Sequence, residues 1–125
     1  MMLLMTKEIE EALNKHPINS QDGKGMNAKV IAKFFGGSAA TWLITEGEPR
    51  PNGDWLLYGF VTLGLPDEFE SGKLLWEWGY VTLNQLKEVR FPPFGLPIER
   101  DISVKPGKFK VKDLACMVPE WMKGE

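Results

Sequence analysis

The sequence predicts one α+β domain: an antiparallel sheet of about four to five strands, an N-terminal helix, and a short helix after the fourth strand. Three observations carry this expectation. Four stretches have strand-like patterning and are separated by Gly, Pro and Asn-Gly turns. A segment near the N-terminus repeats its apolar residues at helical spacing. Thr82-Leu83-Asn84-Gln85 reads as a capping box, with Thr at the N-cap and Gln three positions on. The chain has 125 residues, the size of one domain. No repeat, low-complexity tract or long linker divides it.

Thr6 is a good N-cap for a first helix, and Glu8 in its first turn suits the helix dipole. Ile9 and Leu13 share one face, which Met5 and Ala12 extend. Pro17 and Asn19-Ser20-Gln21-Asp22-Gly23 end the helix in a loop. Residues 28–35 read as the first strand, with Val30, Ala32 and Phe34 alternating with Lys29, Ile31 and Lys33. Gly36-Gly37-Ser38 turns the chain into a second strand over 41–46, as a hairpin. The polar loop 48–54 contains Asn52-Gly53, a strong turn signal. Residues 55–63 form the third strand, apolar on both parities and therefore expected at a central position. An acidic loop at 64–72 leads to the fourth strand, 74–81. There Leu74, Trp76, Trp78 and Tyr80 share one face; Leu75, Glu77, Gly79 and Val81 share the other. The capping box opens a helix to about Val89. Three prolines within 91–97 exclude regular structure there. Beyond it, 102–104 reads as a short strand and 108–112 as an edge strand. Asp113 is placed to cap a last helical turn through Val118, which Pro119 ends.

The composition is that of an ordinary globular protein. Hydrophobic residues make up 43 %, and five Trp, seven Phe and two Tyr supply much of a core. The net charge of −2 recommends neither nucleic acid nor an acidic membrane. The charge is uneven, however. Glu46, Glu48, Asp54, Asp67, Glu68, Glu70 and Glu77 face only Arg50 and Lys73, whereas 105–112 holds four lysines and no acid. Cys116 is the only cysteine, which suits a reducing compartment, so a cytoplasmic protein is expected. The apolar start Met1–Met5 is far shorter than a signal or a membrane span, and no membrane role is expected.

No catalytic motif is present, and one His with one Cys excludes the usual zinc clusters. No cofactor or metal is implied. His16 fits a helix end and Cys116 fits buried packing. Two acids have more interest. Glu46 ends an apolar strand, and Glu77 lies between Trp76 and Trp78. If the second and fourth strands converge on one rim, a carboxylate among tryptophans would serve as a general acid. Otherwise both are solvent-facing or paired to Arg90 or Arg100. Glu99-Arg100-Asp101 follows the proline turn. Arg100 either staples this loop to Glu77 or Glu46, or holds an anion with its planar fork. The stripe Trp76, Trp78 and Tyr80, with Trp42 and Trp55, would suit base stacking only in a basic groove, so core packing is the better account. The lysines of 108–112 fit a guarded edge strand better than a phosphate track.

At Lys33-Phe34-Phe35, Thr41-Trp42, Thr45-Glu46, Glu77 through Leu83 and especially Gly95-Leu96-Pro97-Ile98-Glu99-Arg100-Asp101, the chain resembles the family catalogued as domain of unknown function 2958. These are short single-domain bacterial proteins often carried on plasmids and other mobile elements. The likeness covers about 4–104 and leaves 105–125 as a C-terminal extension. It implies a context rather than a mechanism, and no catalytic residue comes with it. The expected role is a non-enzymatic accessory protein that binds a macromolecule. A protein partner is favoured over nucleic acid, with the acids Asp67, Glu68 and Glu70 suited to a basic one, and Trp78, Glu99, Arg100 and Asp101 as further binding candidates. A host defence or DNA-processing complex would be the target. The alternative is a small enzyme or ligand-binding domain that uses Glu46, Glu77, Glu99, Arg100 and Asp101 at one rim of the sheet.

Overall fold

The computed structural model describes residues 3–124; Met1 and Met2 of the apolar start, and Glu125, lie outside the described residues. Helix α1 (Lys7–Asn14) begins where expected, with the Thr6 hydroxyl accepting from Ile9 N–H at 3.1 Å. Ile9 and Leu13 are its buried face. His16 closes the helix end, its Nδ1 lying 3.0 Å from the Ala12 carbonyl oxygen.

The predicted first strand is two. Strand β1 (Lys29–Val30) and strand β2 (Ala32–Gly36) break at Ile31. Val30 is buried in one core and Ile31, Ala32 and Phe34 in the other, so Val30 does not share a face with Ala32 and Phe34 and simple alternation fails. Strand β3 (Ala40–Pro49) runs past the predicted end, and β4 (Trp55–Pro66) and β5 (Leu74–Thr82) follow as antiparallel neighbours. The capping box is present in full: Thr82 Oγ1 accepts from Gln85 N–H, and Gln85 Oε1 accepts from Thr82 N–H. It opens α2 (Leu83–Glu88). Buried Asp54 adds a tie that the pattern did not signal. Its Oδ1 accepts from Trp55 and Asn84 N–H, which joins the start of β4 to the positive end of α2.

The proline segment forms a minimal ladder, β6 (Arg90–Phe91) with β7 (Leu96–Pro97), against the expectation of no regular structure. Two residues per strand leave the prolines in the turn or at the ladder's end, where missing donors do no harm. Residues 102–104 are turns rather than a strand. The fifth strand is instead β8 (Glu99–Arg100), paired to β2. The main sheet therefore has the order β5-β4-β3-β2-β8, antiparallel throughout. Strand β4 is covered on both faces and has a neighbour on each side, as its apolar pattern required.

The C-terminal expectations hold only in part. Of 108–112, only β9 (Phe109–Lys110) is strand, paired to β1. Helix α3 (Val111–Leu114) follows it, and Asp113 sits inside the first turn, accepting from Lys110 N–H at 2.8 Å. Pro119 precedes a further turn, α4 (Glu120–Lys123), rather than ending one. A proline just before a helix costs nothing, because the first N–H groups have no helical partner.

The sheet separates two cores. On one face α1 and α2 pack Ile9, Leu13, Leu83 and Leu86 against Phe34, Trp42, Ile44 and Leu57. On the other, Met26, Val30, Val111, Val118 and Met122 cover Leu43, Phe60 and Trp76. Among the described residues no helix is long and apolar enough to cross a membrane.

Candidate functional site

The site begins with an irregularity in β3. The register to β4 runs Leu43 to Phe60 and Ile44 to Gly59, then resumes as Glu46 to Tyr58, with Thr45 as the extra residue. Such a bulge reverses which face the following side chains occupy. In unbroken alternation Glu46 would share the face of Trp42 and Ile44, beneath the helices. The bulge carries it to the face of Tyr58, and Tyr58 faces Tyr80 across the next ladder. Gly59 permits this crossing, since a Cβ there would collide with the Leu43 carbonyl oxygen.

Glu46 is 2 % exposed. Its Oε1 accepts from Asn19 N–H at 2.9 Å and its Oε2 from Gln21 N–H at 2.8 Å. The loop after α1 is thus fastened to the sheet by a carboxylate. Asn19 holds a left-handed φ of 77°, a conformation that Asn tolerates better than most residues. Gln21 completes the fastening. It donates to the carbonyls of Lys29 and Thr45 and accepts from Lys29 N–H. Among the described residues no cation lies within ion-pair distance of Glu46.

Over this floor opens a cleft of about 220 Å³, lined by Gln21, Asp22, Gly23, Gly25, Ala28, Thr45, Glu46, Tyr58 and Trp78. Trp78 and Tyr58 stack, with ring centroids 5.8 Å apart and planes 16° apart. Burial pushes the Tyr58 phenol above its ordinary 10.0, and the neighbouring Tyr80, Glu46 and Asp22 push the same way. The cleft is therefore aromatic and electronegative. Gln21, Asp22 and Tyr58 are absent from the expected set. Tyr58 was readable only once the β4–β5 register was known; nothing in the loop sequence signalled the other two.

The remaining candidates do not gather. Glu77 is exposed on β5 and registers with Val61, on the face opposite to Glu46. Glu99, Arg100 and Asp101 lie at the far edge, four strand spacings or about 19 Å from β5. The rim of five groups therefore does not form. Arg100 does act as a staple, but to the N-terminal segment: its Nε donates to the Leu3 carbonyl at 3.0 Å. Arg90 donates to the carbonyls of Lys87 and Val89. Asp101 pairs with Lys33 at 3.4 Å and accepts from the Ser103 hydroxyl at 2.6 Å and the Ser103 N–H at 3.0 Å. The Ser103 hydroxyl is the main reason its carboxyl stays below the ordinary 3.8, with Lys33 adding to it. Glu99 borders a groove of about 320 Å³ with Leu3, Leu4, Leu86, Pro97 and Ile98. Among the described residues no group of three His, Cys, Asp or Glu side chains is placed to hold a metal.

The acidic loop has its own order. Asp67 Oδ2 accepts from Phe69 and Glu70 N–H, and the Glu70 carboxylate accepts from Glu120 N–H at 3.0 Å. Glu68 is exposed, and Phe69 is 86 % exposed. Beside this loop β5 is an outer strand. Its Leu74 N–H donates to Met117 O and its Thr82 N–H to Gln85 Oε1, both outside the ladder with β4. Successive amides of a strand alternate in direction. The N–H groups of Trp76, Trp78 and Tyr80 therefore also point away from β4, and no strand pairs with them among the described residues. Tyr80, more than half exposed, lies on this strand.

No curated protein and no solved structure matches the chain significantly. A family model does, over residues 4–115, so the lysine-bearing segment 105–112 falls inside the match. With nine-tenths of its length matched, the chain belongs to the family described as Protein of unknown function (DUF2958).

Proposed function

We propose that the protein is a non-enzymatic accessory factor that binds another protein by lending it the free edge of β5. The observation that carries this reading is the outward row of backbone groups at Trp76, Trp78 and Tyr80. Natural sheets blunt such edges with lysine, proline or bulges. Residues 74–82 contain no lysine and no proline, and their single charge is Glu77. An added strand takes its affinity from main-chain hydrogen bonds and its specificity from the side chains beside them. The flanking charge selects the occupant. Glu77, Asp67, Glu68 and Glu70 favour an extended segment rich in lysine or arginine, such as those of proteins that handle nucleic acid. The resemblance to proteins of mobile elements supplies the setting, in which a host defence or DNA-processing complex is the target.

Tyr80 allows a test that separates backbone from side chain. Proline at this position removes an N–H that points away from β4, so the ladder inside the protein keeps its bonds. Wild type, Tyr80→Pro and Tyr80→Thr would be used to capture partners from host lysate, and a recovered partner would then be purified and titrated. Wild type and Tyr80→Thr should bind it comparably, and Tyr80→Pro at least tenfold more weakly. Changing Asp67, Glu68 and Glu70 to Lys should weaken binding and flatten its salt dependence. Equal affinity of all four proteins would sink the reading.

A further inference from the structure

The cleft above Glu46 has a composition that the edge-strand reading does not use. A carboxylate almost wholly out of water normally needs a cationic partner. Glu46 has two backbone N–H groups and, among the described residues, no cation within ion-pair distance. Two of its roughly four lone-pair positions are thereby used. The Asp22 carboxylate stands at the same cleft, exposed, and no lysine or arginine lines it. Beside Glu46 on the same sheet face stands the Tyr58–Trp78 stack, 5.8 Å between centroids. Aromatic faces attract cations through their quadrupole, tryptophan most strongly. The volume of about 220 Å³ corresponds to about seven waters, room for a small cationic group but not for a nucleotide.

We propose that this cleft is a binding site for an organic cation, an alkylammonium or guanidinium group held between the Glu46 and Asp22 carboxylates and the Tyr58–Trp78 wall. Such a group has two sources, a free small amine or a lysine or arginine side chain presented by another protein. In both, the cation donates to carboxylate oxygens while its stem lies along the aromatic rings. The site occupies the sheet face over β3, β4 and β5 and uses the Trp78 side chain, not the outward backbone of β5, so its test is separate from that of strand addition.

The test is a titration of the ¹⁵N-labelled full chain, followed by amide shifts and checked by calorimetry. One arm uses agmatine and butylamine, with butanol as the neutral match; the other uses N-acetylated, C-amidated Gly-Arg-Gly and Gly-Lys-Gly, with the same capped Gly-Gln-Gly as the neutral control. The expected result is saturable shifts at Gly23, Gly25 and the Trp78 indole with the cations and none with the neutral compounds. Binding of the amines identifies a small-molecule site; binding of the peptides alone identifies a side-chain receptor. Asp22→Asn, on the exposed rim, should weaken binding about threefold to fivefold with an unchanged thermal midpoint. Glu46→Gln should weaken it more than tenfold and return the Tyr58 titration towards 10.0. The proposal is overturned if no cation perturbs these amides at 10 mM, as an order-of-magnitude ceiling, if neutral analogues bind equally, or if Asp22→Asn leaves affinity unchanged.

Discussion

Two backbone N–H groups end on the Glu46 carboxylate, and removing it would strand both. A hydrogen bond to a charged group contributes about 1.5–3 kcal/mol, and part is returned because a charge no longer has to be buried. Glu46→Ala is therefore expected to lower stability by about 2–4 kcal/mol, read from the urea midpoint, with faster amide exchange at Asn19 and Gln21. A loss below about 0.5 kcal/mol, the scale of an ordinary surface substitution, would mean that the loop is held some other way. Asp101 gives a pH signature. Its folded carboxyl lies below 3.8, so the stability it adds is complete above that value and is lost as pH falls through the folded one. Wild type should exceed Asp101→Asn in urea midpoint at pH 6, and the gap should shrink as the pH drops below about 3.8. A constant gap from pH 6 to 2 would contradict it. Glu46 was legible in the sequence as a carboxylate in the wrong place, at the end of an apolar strand. Its face was not legible, because one extra residue at Thr45 reverses parity and leaves no mark in composition.

At the scale of elements, locally determined features were the ones that could be read. The Thr6 cap and the capping box at Thr82 are contained within four residues each, and both form. Thr82→Ala should cost about 1 kcal/mol, measured by chemical denaturation, since the Gln85 N–H in the first turn of α2 loses its acceptor. No change in midpoint would show that tertiary packing of Leu83 and Leu86 holds α2 unaided. Non-local pairing was harder to see. The break falls at Ile31 because Ile31 and its neighbour Ala32 are both buried in the core beneath the helices while Val30 is in the other, and only the finished sheet defines those two places. Likewise Glu99-Arg100 gains its strand from β2, more than sixty residues earlier, while 102–104 has no neighbour to pair with. Pro119 was read as a stop because a proline terminates a preceding helix as readily as it introduces the next one.

For the whole molecule, the layered α+β plan and the two-sided covering of the third long strand followed from apolar patterning alone. What patterning could not supply was the lid of the second core. Val118 and Met122 are buried there, Trp76 Nε1 donates to Cys116 O at 2.9 Å, and Leu74 N–H donates to Met117 O. A chain stopped at Ala115, where the family match ends, should therefore lose about 3–5 kcal/mol and show increased Trp76 solvent exposure. Unaltered thermal unfolding would show that these last residues do not close the core. The candidate site had the same limitation: its walls come from the loop after α1, from β3, β4 and β5, and only their assembly makes a cleft.

The two outer strands of the sheet are unequal, nine residues in β5 and two in β8. A sheet with two long open edges passes strand pairing along and can grow into a fibre. This one has a single long outer strand, β5. An extended chain that adds to β5 meets a far edge too short to accept a second, so the array ends with the protein as its terminus. On the proposed reading, strand-on-strand assembly should not extend past β8, and the protein should act as a stopper at that end.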